Sequence, residues 1–242
     1  MRQLSAQDVY RIIEWGHDKH PVDRAIVLLR AAAPHLSRDE LVRLPLGRRD
    51  ALLLKLRGGT FGDRFDFLVR CPKCATAFEF GVSMQQILLR PPDEGLGGVI
   101  EEDGLQLRYR LPNSGDLAAV LGFPDPNVAR KALLGRCMIA RREGEPVSLT
   151  TVPGHLIDAA AAAIAEQDPQ SDIVFKNTCR ECGHVWRSTF DVVEYFWAEL
   201  DAYALRLQDD VHRIAQAYGW TEDVIIAMPV QRRKRYLELI NG

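Results

Sequence analysis

Four cysteines fall into two matched pairs, Cys71 and Cys74 in "RCPKCATAFEF" and Cys179 and Cys182 in "TCRECGHVWRSTF". Two cysteines separated by two residues can hold one metal ion through a tight turn, and four thiolates complete a tetrahedral shell. A single pair supplies half a shell and no core. The pattern therefore predicts that the two knuckles face each other across one structural Zn2+ per chain, as a zinc ribbon. Residues 75–178, 104 in number, then form an insertion between its halves. Closing so long a loop is entropically unfavourable, and the ion would tie its ends. Iron of the rubredoxin kind suits the same ligands. Zinc is preferred because nothing else in the chain points to electron transfer. Neither CxxC opens a helix, as a thioredoxin-like redox motif should. Four thiolates leave no open coordination position, and there is no HExxH, so no catalytic residue is assigned. His184, in "CGHVW", is a possible substitute ligand that four thiolates leave unneeded.

Other constellations carry less. Cys137 lies among Leu133, Leu134, Met138 and Ile139 and reads as a buried thiol. "RGGTFGDRF" lacks the GK[ST] of a phosphate loop and precedes a strand, so it reads as a turn. Asp209, Asp210 and His212 share a helix without a third partner and read as a solvated face. The set Arg43, Arg48, Arg49, Lys55 and Arg57, and the run Arg232 to Arg235, read as local positive faces. With net charge −2 there is no global field to draw the chain to nucleic acid.

The elements that must position the cysteines follow from periodicity. "FDFLVR" and "AFEFGV" flank the first knuckle as strands, and "DIVFKNTC" and "HVWRSTF" flank the second. Before them come helices in "SAQDVYRIIEW", capped by Ser5, and "PVDRAIVLLRAAAP", opened by Pro21. A short helical turn follows, then a helix from about residue 47 to 57 that Gly58 and Gly59 should stop. Between the knuckles lie a short helix in "SMQQILL", the Pro/Gly loop "RPPDEGLGG" and the strand "LQLRYRLP". Helices are then expected in "NSGDLAAVLG", "NVARKALLGRCMIARR" and "PGHLIDAAAAAIAEQDP". After the second knuckle, apolar residues from Val193 to Ile214 recur in steps of three and four, predicting one long helix. A turn at Thr221 and a last helix after Pro229 complete the chain. The 47% apolar and 26% charged composition is that of an ordinary globular protein. No apolar run spans a bilayer and the start carries no secretory pattern, so the expected location is the cytoplasm.

The ending "YFWAELDAYALRLQDDVHRIAQAYGWTEDVIIAMPVQRRKRYLELI" resembles the T4-type baseplate hub assembly chaperone family of contractile-tail phages and contractile injection systems. "LPLGRRDALLLKLR", "GDRFDFLVRCPKC", "LRYRLPNSGDLAA" and "CRECGHVW" extend the resemblance over most of residues 20–242. It implies a non-catalytic protein that binds a baseplate hub or spike-associated structural protein, with no small-molecule substrate and no membrane partner. The alternative is a zinc-ribbon nucleic-acid-binding adaptor. The aromatic and arginine-rich C-terminus supplies a candidate partner-binding set: Trp220, Arg232, Arg233, Arg235 and Tyr236. The expected fold class is α+β, mostly helical, with a split four-cysteine ribbon. Residues 1–62 would be a helical region, 63–82 and 172–190 the ribbon, 83–171 the insertion, and 191–242 a second helical region.

Overall fold

Each of the first helices is fixed by its own cap. In the computed structural model, which describes residues 2–89 and 96–241, α1 (Ala6–Gly16) begins at Ser5. The Ser5 hydroxyl accepts from the Asp8 N–H (3.2 Å), and the Asp8 carboxylate accepts from the Ser5 N–H (2.8 Å). α2 (Pro21–Ala32) opens on Pro21, and α3 (Arg38–Arg43) repeats the reciprocal cap through Ser37 and Glu40. α4 (Leu46–Phe61) departs from expectation: Gly58 and Gly59 lie inside it, and it ends at Gly62 with φ 97°. Gly58 is a notch instead of a stop. A Cβ there would meet the Met84 sulfur at 2.9 Å. The Thr60 hydroxyl, donating to the Leu56 carbonyl (2.8 Å), carries the last turn past it.

The first hairpin, β1 (Arg64–Arg70) and β2 (Ala77–Ser83), leads into α5 (Met84–Ile87). Of the expected Pro/Gly loop, residues 90–95 lie outside the described residues. Gly97 and Gly98 instead open a strand, β3 (Gly97–Glu102). After β4 (Leu105–Arg110) and α6 (Ser114–Ala118, capped by Asn113) comes α7 (Pro126–Cys137). The helix expected to reach residue 142 ends here. Met138–Arg142 is a strand, β5, followed by β6 (Glu145–Val147). The reason is a period-two pattern hidden behind a helical one: Met138 and Ala140 are buried while Ile139 and Arg141 face out. α8 (Gly154–Gln167) and the second hairpin, β7 (Ile173–Thr178) and β8 (Val185–Phe190), follow. The chain ends in α9 (Val192–Tyr218), α10 (Glu222–Ile226) and α11 (Val230–Asn241).

Two cores result. In the first, α1, α2 and α4 pack on α9 through Val9, Ile12, Leu28, Leu29, Leu53, Phe196 and Leu200. In the second, an antiparallel sheet of order β3-β4-β5-β6 lays Leu105, Leu107, Tyr109, Met138 and Ala140 against Leu156, Ala160 and Ile164 of α8. Buried polar contacts join the two. The Leu46 N–H donates to the Pro112 carbonyl (3.1 Å), the Gly47 N–H to Asp168 Oδ2 (2.9 Å) and Arg49 to the Ser114 hydroxyl (3.3 Å). Asp168 is 1% exposed, and burial raises its carboxyl above the ordinary range despite the Gly47 N–H. No described helix is long and apolar enough to cross a membrane.

Candidate metal centre

The two hairpins present their cysteines through one repeated turn. In the first, the Ala75 N–H donates to the Cys71 carbonyl (2.9 Å) and the Cys71 N–H to the Thr76 carbonyl (3.0 Å). In the second, the Gly183 N–H donates to the Cys179 carbonyl (3.0 Å) and the Cys179 N–H to the His184 carbonyl (2.9 Å). The residue after the second cysteine is left-handed in both, with φ 60° at Ala75 and 67° at Gly183. This turn lifts both thiols of a pair to one side of the hairpin tip.

The four sulfurs converge. Their Sγ atoms all lie within 4.8 Å of one another, with Cys71 to Cys182 at 3.7 Å and Cys74 to Cys179 at 3.5 Å. Both short contacts cross from one hairpin to the other. A disulfide would need about 2.05 Å, and none is present. A tetrahedron with metal–sulfur bonds near 2.3 Å has edges of about 3.8 Å, so this spacing fits a four-coordinate ion. Charge leads to the same conclusion. The Thr76 hydroxyl and N–H hold the Cys74 thiol down at about 6. At Cys182 the His184 N–H favours the thiolate, yet desolvation and the three neighbouring sulfurs push it up to about 12. Four sulfurs this close can all be thiolates only with a cation among them. His184 is not among them; its ring stacks on Trp186 (6.1 Å between centroids).

An aromatic layer beneath the sulfurs locks the hairpins together. Phe67 of β1 meets Phe175 (5.1 Å) and Phe190 (5.1 Å) of the second hairpin, and also Phe80 (5.2 Å) and Tyr195 (5.2 Å). Such edge and offset contacts add to the burial of the rings. The Tyr195 hydroxyl accepts from the Asp66 N–H (3.1 Å) and donates to its carbonyl (3.2 Å), joining α9 to β1. Arg57 does the same from α4. It lies 4.1 Å over the Phe65 ring, donates to the carbonyls of Gly62 and Arg64, and is ion-paired with Glu199 (2.7 Å from Nε).

Several residues read as solvated are therefore structural. Arg57 and Arg49 are 4% and 6% exposed, not parts of a positive face. Asp210, read as part of a solvated face, accepts from Arg233 Nε (3.3 Å). Arg233 itself, placed in the candidate partner-binding set, is 3% exposed and also donates to the Met228 carbonyl. It holds α11 to α9 and is unavailable to a partner. The rest of that set stays accessible. Trp220 stacks on Tyr218 (4.9 Å) and meets Tyr236 edge-on (4.8 Å), Arg232 lies 5.8 Å over Tyr236, and Arg235 pairs with Glu238.

Cys137 is buried, apart from the sulfur cluster. Burial and the nearby Asp116 carboxylate push its thiol up to about 11, which fits a core group. Sequence reasoning missed Asp116. It is 1% exposed and accepts from Arg110 (2.6 and 2.9 Å), Arg136 (3.1 Å) and the Asn113 N–H (3.1 Å). Its position three residues after Asn113 was the available signal.

Comparison with known proteins finds a family match. The family described as "T4 bacteriophage base plate protein" matches residues 28–139, from within α2 to within β5. That span includes the first knuckle and most of the four-stranded sheet. It excludes the second knuckle and the C-terminal ending on which part of the resemblance rests. No curated protein and no solved structure matches the chain. Over nearly half its length, then, the chain is similar to phage baseplate proteins, consistent with a structural or assembly role.

Proposed function

We propose that the chain is a non-catalytic assembly factor or structural component of a contractile-tail baseplate hub, in a phage or a contractile injection system. It acts in the producing cytoplasm by binding a hub or spike-associated protein. The observation that carries this reading is the baseplate family match over residues 28–139. The closed thiolate set supports it, because a site without an open ligand position holds structure and does no chemistry. In this reading Cys71, Cys74, Cys179 and Cys182 hold one Zn2+, and the residues between the knuckles are an insertion carrying its own core. The hub-chaperone subtype and the C-terminal tip of Trp220, Arg232, Arg235 and Tyr236 as a partner surface belong to the same proposal.

The test compares purified particles with the lysate that produced them by mass spectrometry. It is paired with deletion of the coding sequence, which should abolish complete particles. Arg232→Glu with Arg235→Glu should leave the melting temperature within about 2 °C, since exposed substitutions shift stability by about 0.5 kcal/mol or less. It should also lower particle yield at least tenfold. Normal particles from the deletion strain would refute the baseplate reading, and normal yield from the double variant would remove the C-terminal tip from it.

A further inference from the structure

α1 has a second face that the core does not use. Val9, Ile12 and Gly16 turn inward. Beside them, Asp8, Arg11, Trp15 and then Lys19 follow in steps of three and four and line a groove whose opposite wall is α2. The groove encloses about 920 Å³. Its apolar floor is the partly exposed Val27 and Ala31, with Ile12 and Ile26 buried behind them. Trp15 stands at its edge, 66% exposed, whereas Trp197 is 6% exposed and Trp186 and Trp220 are covered in part by neighbouring rings. A large indole left in water beside an apolar floor is the feature that binding surfaces share.

The charge around this groove is unbalanced. Among the described residues five cationic side chains line it, Arg2, Arg11, Lys19, Arg30 and Arg38, against two carboxylates. Both carboxylates are already paired: Asp8 accepts from Arg2 through both oxygens, and Asp23 accepts from Arg38 (3.0 Å). Arg30 is turned to the carbonyls of Pro34 and Leu36. Arg11 and Lys19 have no acidic partner among the described residues. The protein as a whole is slightly acidic, so this excess is local.

We propose that the α1–α2 groove is the docking site of an acidic amphipathic helix from a protein partner. The partner's apolar stripe covers Trp15 and the floor, and its carboxylates pair with Arg11 and Lys19. Length suits a helix: the 12 residues of α2 extend about 18 Å, room for roughly three turns alongside. The floor argues against nucleic acid, which would present phosphate to Val27 and Ala31. Trp15 is also the single aromatic among the described lining residues, too few for a stacking platform. This inference deepens the binding reading above and names a second contact surface for it.

The experiment places photoreactive p-benzoylphenylalanine at position 15 in cells assembling particles, with a parallel sample carrying it at position 235. Irradiation at position 15 should give an adduct to one protein, within a segment of net negative charge with apolar residues at helical spacing. That segment, resynthesised as a peptide, should bind the purified chain. Arg11→Glu with Lys19→Glu, and separately Trp15→Ala, should each weaken binding about tenfold or more with an unchanged melting temperature, and added salt should weaken the unaltered complex. An adduct to nucleic acid, to a second copy of this chain or to a basic segment would overturn the proposal, as would no adduct. An adduct at 235 without one at 15 removes the groove but leaves the assembly reading. Absence of adducts at both positions removes both.

Discussion

The two cysteine knuckles are built on one plan and held in place by different means. Each closes with the same pair of backbone hydrogen bonds, and each buries its first cysteine to 2% exposure while the second stays more open. The second hairpin shares the aromatic layer through Phe175 and Phe190 and is also tied locally. It runs directly into α9, where the Asp191 side chain caps the helix by accepting from the N–H groups of Val193 and Glu194. The first hairpin has further anchors: Arg57 of the preceding helix, over Phe65 and paired with the distant Glu199, Tyr195 on Asp66, and Phe67 in the aromatic layer. They also differ at the left-handed position, alanine in one and glycine in the other. Backbone hydrogen bonds and sulfur placement thus define the knuckle. The side chain at the turn is secondary, provided something else holds the strands.

The largest effect that tests this equivalence is loss of the proposed ion. Cys71→Ser and Cys179→Ser should both abolish stoichiometric zinc by elemental analysis and lower stability by several kcal/mol, since structural zinc binding is worth on the order of 10 kcal/mol. Chelation of the unaltered chain should do the same. If one serine variant kept its ion and its melting temperature, the knuckles would not be equivalent. Next comes the layer where the hairpins meet. Phe67→Ala should cost about 3 kcal/mol in urea unfolding, and Phe67→Leu roughly half of that. A double-mutant cycle with Phe175→Ala should show coupling of about 1 kcal/mol. Additive losses would mean that the sulfurs alone join the hairpins.

Much of this arrangement could be read from the sequence, and the failures share a cause. The four cysteines announce themselves by spacing. The flanking strands do so by alternation of Phe65, Phe67 and Val69, and α9 by steps of three and four from Val193 to Ile214. Lost were features whose meaning depends on a distant partner. Arg57, Arg49 and Arg233 look like solvated cations until Glu199, Ser114 and Asp210 are folded against them. Met138–Arg142 has a strand's alternation, but it follows a strong helix without punctuation, and only pairing with β4 settles it. Gly58 reads as a stop because glycine usually is one, whereas here Met84 fills the space of its missing side chain. Trp15 falls in the right place for a helix face but gives no sign that the face is left open.

The smallest effects sharpen the comparison most. Gly183→Ala places a Cβ where nothing lies within 4 Å, so its penalty is conformational alone. A left-handed alanine costs roughly 1–2 kcal/mol, and that loss should appear in urea unfolding with zinc content unchanged. The reverse change, Ala75→Gly, should release the same backbone strain in the first knuckle. The gain will be smaller, because glycine also frees the unfolded chain, an opposing term of about 0.4–1 kcal/mol. The expected net change is a stabilisation of under about 1 kcal/mol with an unchanged denaturant slope. Ala75→Gly together with Gly183→Ala should then lie close to the sum of the two single changes, because the turns share no side-chain contact there. A sum off by more than about 0.5 kcal/mol would mean that strain in one turn is felt through the sulfur cluster by the other. In that case the two knuckles would be one mechanical unit, not two copies of a turn.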